Sequence, residues 1–148
     1  VYVVFPLHLN PRVQQTANDI LGNHQRIKLI NPLNVIDFHN FSSRAYMILT
    51  DSGGIQEEAP SLGVPVIVLH DTTERPEGIE AGVLRLAGTT YEDIFQLTHK
   101  LLSDPKNHKT MVDSINPYGD GKASVRIVEA ILYYPSLHHH RPAPFSPQ

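Results

Sequence analysis

The 148 residues include no cysteine, no tryptophan and only two methionines. Without cysteine there is no disulfide framework and no thiolate-ligated zinc, and the chain is compatible with a reducing cytoplasm. Charged residues are sparse at 18%, the formal net charge is −3, and no long run of Lys or Arg occurs. The basic footprint expected for nucleic acid or an anionic membrane is therefore missing, although a small anion can still be held locally. No apolar stretch approaches the roughly 18 residues that span a bilayer, and the N-terminus lacks the charged-then-apolar order of a signal peptide.

What is present suits one soluble domain, with hydrophobic residues at 41%. Short apolar runs alternate with helical patterns, which predicts an α/β fold with a parallel sheet flanked by helices. Strands are expected at residues 2–5, 27–30, 46–50, 66–69 and 84–87. Helices are expected from Asn10-Pro11 to Gly22, at 34–43, at 55–62 closed by Gly63, at 91–102 and at 124–133. The ordered domain spans 1–134. Pro, His and Ser dominate 135–148, which reads as a disordered tail. The chain begins directly on a strand pattern with no initiator Met, as the edge of a truncated chain would.

The strongest chemical signal is Thr50-Asp51-Ser52-Gly53-Gly54-Ile55-Gln56-Glu57-Glu58, where a buried strand hands over to a helix. Ligands of open α/β sheets collect at the carboxyl ends of strands, and a helix N-terminus offers unpaired N–H groups and a favourable dipole to phosphate. Ser52, Gly53 and Gly54 let a diphosphate approach the backbone without a Cβ in the way. Glu58 lies four residues after Gly54, hence on the same helix face, where a carboxylate can accept from two ribose hydroxyls. A capped helix with Glu57 and Glu58 both solvated fits the same pattern.

The polar stretch from His70 to Gly78 follows another buried strand and so lies on the same rim. Arg75 is its strong cation, suited to a phosphate through its planar donor fork, or else to a surface ion pair with Glu74 or Glu77. His138, His139 and His140 invite a metal reading, but consecutive histidines in a Pro-rich tail fit a disordered or tag-like segment better than a native site.

The segment TDSGGIQEEAPSLGVPVIVLHDTTERPEGIEAG at 50–82 resembles the non-hydrolysing UDP-N-acetylglucosamine 2-epimerases, as do HLNP at 8–11 and NPYGDGKAS at 116–124. The likeness runs from about residue 1 to 132. It implies the C-terminal, Rossmann-like lobe of a glycosyltransferase B type fold that binds UDP and UDP-N-acetylglucosamine. Ser52, Gly53 and Gly54 would meet the diphosphate, Glu58 the ribose, and Arg75 would lie near the phosphates. Phe38 would stand beside the uracil; on pattern alone it is equally a core residue of its helix. In some bacterial members the residue matching His8 contacts a second, activating UDP-N-acetylglucosamine, whereas on pattern alone His8 is a packed or surface residue.

Where the family usually carries Arg this chain has His70, which removes a permanent charge. The implied reaction is elimination of UDP and re-addition with inversion at C2, in the cytoplasm, in a homodimer, feeding cell-surface polysaccharide synthesis. It uses no metal or nicotinamide cofactor. The general base it needs has no evident candidate here, so a missing N-terminal lobe is expected to supply it, and this chain alone is expected to be inactive. A glycosyltransferase of the same architecture, a hydrolysing epimerase and a non-catalytic nucleotide-binding module are the alternatives.

Overall fold

A computed structural model describes residues 1–134 and 141–147. The histidine run at 138–140 lies outside the described residues, and 141–147 contain neither helix nor strand. The chain divides into two compact units, Val1–Phe41 and Ser42–Gln148.

In the first unit, strand β1 (Val3–Pro6) pairs in parallel with β2 (Ile27–Ile30), Val3 opposite Ile27 and Pro6 opposite Ile30. Helix α1 (Pro11–Leu21) makes the crossover that parallel strands require. It starts where the sequence says it should: the Asn10 side chain accepts from the Arg12 amide at 3.0 Å, and Pro11 takes a first-turn position where no N–H is needed. Helix α2 (Val35–Ser42) opens with a reciprocal cap. Asn34 accepts from the Asp37 amide at 2.9 Å and donates to the Asp37 carboxylate at 2.8 Å.

The second unit runs β3 (Ile48–Thr50), α3 (Gly53–Ser61), β4 (Val66–Val68), α4 (Pro76–Glu80), β5 (Leu84–Leu86), α5 (Tyr91–Ser103), α6 (Pro105–Val112) and α7 (Ala123–Tyr133). Its three strands are all parallel, in the order β3-β4-β5. Val66, Ile67 and Val68 of the central strand are wholly buried. Alternation along β4 sends Val66 and Val68 to one face, with Ala59, Val83 and Leu84, and Ile67 to the other, with Ala87, Leu101 and Met111. Each such side chain contributes about 1.5–3 kcal/mol on burial. This strand is the anchor of the unit.

The structure departs from the sequence reading in three places. The third strand begins at Ile48 rather than Tyr46, because His108 of α6 donates from Nε2 to the Tyr46 carbonyl at 2.7 Å and stacks on its ring at 3.7 Å. Helix α6 was not expected, although Asp104-Pro105 is a helix start: the Asp104 carboxylate accepts from the Lys106 and Asn107 amides. Helix α4 is a single short run begun by Pro76 inside what reads as a polar loop.

The 116–122 loop is tied to the unit at two points. Arg126 donates from both terminal nitrogens to Asp120 at 2.7 Å, which holds that carboxyl well below the usual carboxylate range. Its guanidinium also lies 5.5 Å from the Phe145 ring centre, a cation–π distance. At the other end of the loop the Tyr118 hydroxyl is buried with no group in hydrogen-bonding geometry to it among the described residues. Burial first, then Glu77 and Glu57, push that phenol up to about 12. A Cβ on Gly78 would stand 2.0 Å from the same hydroxyl and 2.5 Å from Leu84 Cδ1, so only glycine fits.

Two outcomes follow. Gly78→Ala should destabilise the chain by roughly 1–3 kcal/mol in denaturant titration, the usual cost of overpacking; a neutral result would mean the loop moves aside freely. The folded pKa of Tyr118 lies above its unfolded value of about 10, so its share of stability is intact below pH 10 and is lost as pH rises through about 12. Stability measured from pH 9 to 12 should fall less steeply in Tyr118→Phe than in wild type, and parallel curves would refute the assignment.

Candidate functional site

Because β3 and β4 are adjacent and parallel, the loops leaving their carboxyl ends share one rim of the sheet. Helix α3 starts there without a conventional cap. Ser52 occupies the N-cap in extended conformation (φ −83°, ψ 128°), yet its side chain makes no capping bond. Its amide donates instead to Thr50 Oγ1 at 3.0 Å, and the first helical bond runs from the Gln56 amide to the Ser52 carbonyl at 3.4 Å. The serine hydroxyl and the opening amides of the helix are thus not consumed by capping.

A Cβ built on Gly53 meets nothing within 4 Å, and one on Gly54 meets only Glu58 Oε1 at 3.9 Å. The space over the glycines is open, and the exposed Glu58 carboxylate reaches back over the first turn. That is the placement its four-residue spacing from Gly54 predicts.

Arg75 does not stand clear. Its Nε donates to Glu57 Oε1, and its Nη1 donates to the Glu74 carbonyl at 3.1 Å and lies 3.8 Å from the Glu74 carboxylate. The Glu57 bond and charge, opposed by partial desolvation, raise the guanidinium's already high pKa, so it is a permanent cation whose partner is already present. The sequence reading allows Glu57 to be simply solvated and offers Glu74 or Glu77 as the alternative partner for Arg75. The structure gives Arg75 chiefly to Glu57, one position before the carboxylate that leans over the glycines.

Two further bonds join the 51–57 and 70–75 segments. Buried Gln56 accepts through Oε1 from the Thr73 hydroxyl at 2.6 Å, and the same hydroxyl accepts from the Arg75 amide at 3.0 Å. His70 Nε2 lies 3.1 Å from the Asp51 carbonyl; that oxygen only accepts, so Nε2 carries the proton. Where the resemblance expects an arginine, the histidine fastens one loop to the other. The Gln56, Thr73 and His70 ties were missed at the sequence level: two polar runs 17 residues apart announce a shared rim but not which atoms meet.

Ser52, Gly53, Gly54, Glu58 and Arg75 therefore all belong to the rim of the second unit. His8 and Phe38 belong to the first. His8 is exposed and its Nδ1 accepts from the Asn10 amide at 3.1 Å. Phe38 is half-buried on α2, with its ring centre 6.3 Å from that of His39. A separate open hollow lies beyond the end of β5, lined in part by Asp71, Gly88, Asp93, His99 and Lys100.

Parallel sheets flanked by helices, with an open helix N-terminus at a strand end, define a Rossmann-like nucleotide-type lobe of the glycosyltransferase B class. The family model described as UDP-N-acetylglucosamine 2-epimerase matches residues 1–132, and the chain belongs to that family. The UDP-N-acetylglucosamine 2-epimerase of Bacillus subtilis is 57% identical over 146 residues, 99% of this chain and 38% of that protein. A putative member from Clostridium acetobutylicum is 46% identical over 148 residues, 100% of this chain and 38% of that protein. Among solved structures, Staphylococcus aureus MnaA with UDP superposes at a TM-score of 0.93 and 52% identity, covering 98% of this chain and 40% of that one. The chain thus spans about 38% of the length of the curated relatives it matches.

The Gln56–Thr73 bond is directly testable. Thr73→Val keeps the shape and strands the buried Gln56 carbonyl, which should cost roughly 1–3 kcal/mol in chemical denaturation. An unchanged midpoint would remove that bond from the account.

Proposed function

We propose that this chain is the UDP-holding C-terminal lobe, residues 1–134 with a tail at 135–148, of a cytoplasmic enzyme that interconverts UDP-N-acetylglucosamine and UDP-N-acetylmannosamine. One observation carries the reading: the Glu58 carboxylate reaches over a glycine turn with open space above it, at a helix start where, among the described residues, Ser52 makes no side-chain capping bond. A diphosphate at Ser52, Gly53 and Gly54 would receive backbone N–H groups and the positive end of α3. A ribose placed next to it would donate hydrogen bonds from its two hydroxyls to the Glu58 carboxylate. In this reading Phe38 would stand beside the uracil, Arg75 would lie near the phosphates, and His8 would contact a second, activating UDP-N-acetylglucosamine. The solved relatives bound to UDP, and to UDP-N-acetylglucosamine together with UDP, support the ligand class.

In the proposed reaction a base removes the C2 proton while the C1–O bond to UDP breaks, leaving a 2-acetamidoglucal. UDP then adds back to C1 as a proton arrives on the opposite face of C2. In this reading the rim steadies the leaving diphosphate, and neither Glu58, which serves the ribose, nor Glu57, which holds Arg75, is the base at C2. The base is assigned to an N-terminal lobe, in an enzyme that acts as a homodimer without metal or other cofactor.

Calorimetric titration with UDP should show weak binding by the chain, and Glu58→Ala should lose roughly 1.5–3 kcal/mol of it, the range for hydrogen bonds to a charged group. Undiminished binding would end the ribose assignment. Incubated alone with UDP-N-acetylglucosamine in deuterated water, the chain should leave C2 unlabelled; deuterium above a heat-killed control would place the base within these residues.

A further inference from the structure

We propose that Glu57 is a specificity-determining residue: it occupies Arg75 so that the guanidinium becomes available only to a ligand carrying enough negative charge to displace the carboxylate. The proposal rests on the reading above for where the diphosphate lies, and on the Glu57–Arg75 pair itself for the competition.

The local charge balance makes the competition unavoidable. Along 51–77 the rim carries Asp51, Glu57, Glu58, Asp71, Glu74 and Glu77, and Arg75 is the one Arg or Lys in that segment. The cation is already neutralised by its Glu57 bond and by Glu74 beside it. Within 51–77, Arg75 is therefore the one Arg or Lys that an anion at the glycine turn could recruit, and recruiting it requires the Glu57 pair to open. Exposure decides whether it can open. The Arg75 and Glu57 side chains retain 31% and 43% of their surface, so the pair is solvent-screened and weak enough to exchange, unlike a buried one. A diphosphate offers more charge than one carboxylate and also gains the α3 amides, whereas a neutral nucleoside offers neither. Arg75 would then add affinity for a nucleoside diphosphate and none for the nucleoside, and Glu57 would set that difference.

The test titrates uridine, UDP and inorganic pyrophosphate into wild type, Glu57→Gln, Arg75→Ala and the double variant of the full chain. Glu57→Gln keeps shape and removes charge, so UDP and pyrophosphate should bind about two- to fivefold tighter, the range of a partly exposed ion pair, with uridine unchanged. The gain should vanish when Arg75 is alanine. An equal gain without Arg75 would mean a general field effect, and weaker anion binding in Glu57→Gln would mean that Glu57 merely orients Arg75; either overturns the proposal. Should that variant fail to fold, the Arg75 Nε–H resonance of wild type must move on saturation with pyrophosphate, and a stationary resonance, or no anion binding at all, refutes the competition. Pyrophosphate competing for Arg75 while UDP does not bind would instead refute the nucleotide reading and leave this one standing.

Discussion

Val66, Ile67 and Val68 have no exposed surface, and this burial on both faces governs the rest of the second unit. A strand covered above and below has no face on which to place polar chemistry, so function is forced to the ends of the sheet. The same constraint fixes direction. With β3, β4 and β5 all parallel, the chain returns through α3 and α4, and every strand exit falls on one rim. The glycine turn and the arginine loop share that rim because the core leaves them nowhere else.

On that rim the bonds between loops are as consequential as the groups that would meet a ligand. Gln56 to Thr73, His70 to Asp51 and Arg75 to Glu57 hold the polar stretch at 70–75 against the start of α3. A site built from two loops needs such cross-links to keep its donors in place before the ligand arrives, which lowers the ordering cost of binding. Gly78 and Tyr118 continue the chain of contacts: the loop's last glycine is packed under a phenol delivered by the 116–122 segment, whose other end is fastened by Asp120 and Arg126. The three motifs that look separate in sequence are thus successive parts of one rim and its support.

Much of this was legible in the chain itself. The alternation of elements, the Asn10-Pro11 helix start and the buried run at 66–68 depend on local pattern and came out within a residue or two. The Glu58 placement was legible for the same reason, since helix period alone sets it over Gly54. What sequence could not supply was the choice among partners of similar chemistry. Arg75 had three carboxylates nearby and took Glu57 chiefly, because α3 presents position 57 to the returning loop. Helix α6 was legible in principle from Asp104-Pro105, but a short helix with a weak apolar face gives little periodicity to read. Tyr46 left its expected strand because a histidine 62 residues away claimed its carbonyl, a tertiary effect no local window contains.

The central claim is that an anionic nucleotide is held by the open start of α3. It is tested most directly by following assigned backbone amide resonances of the chain during titration with UDP. The account predicts that the amides of Gly53, Gly54 and Ile55 shift first and most, saturating together with changes at Glu58. Shifts centred instead on Gly88, Asp93 and His99, with the glycine turn silent, would move the site to the hollow beyond β5 and contradict it.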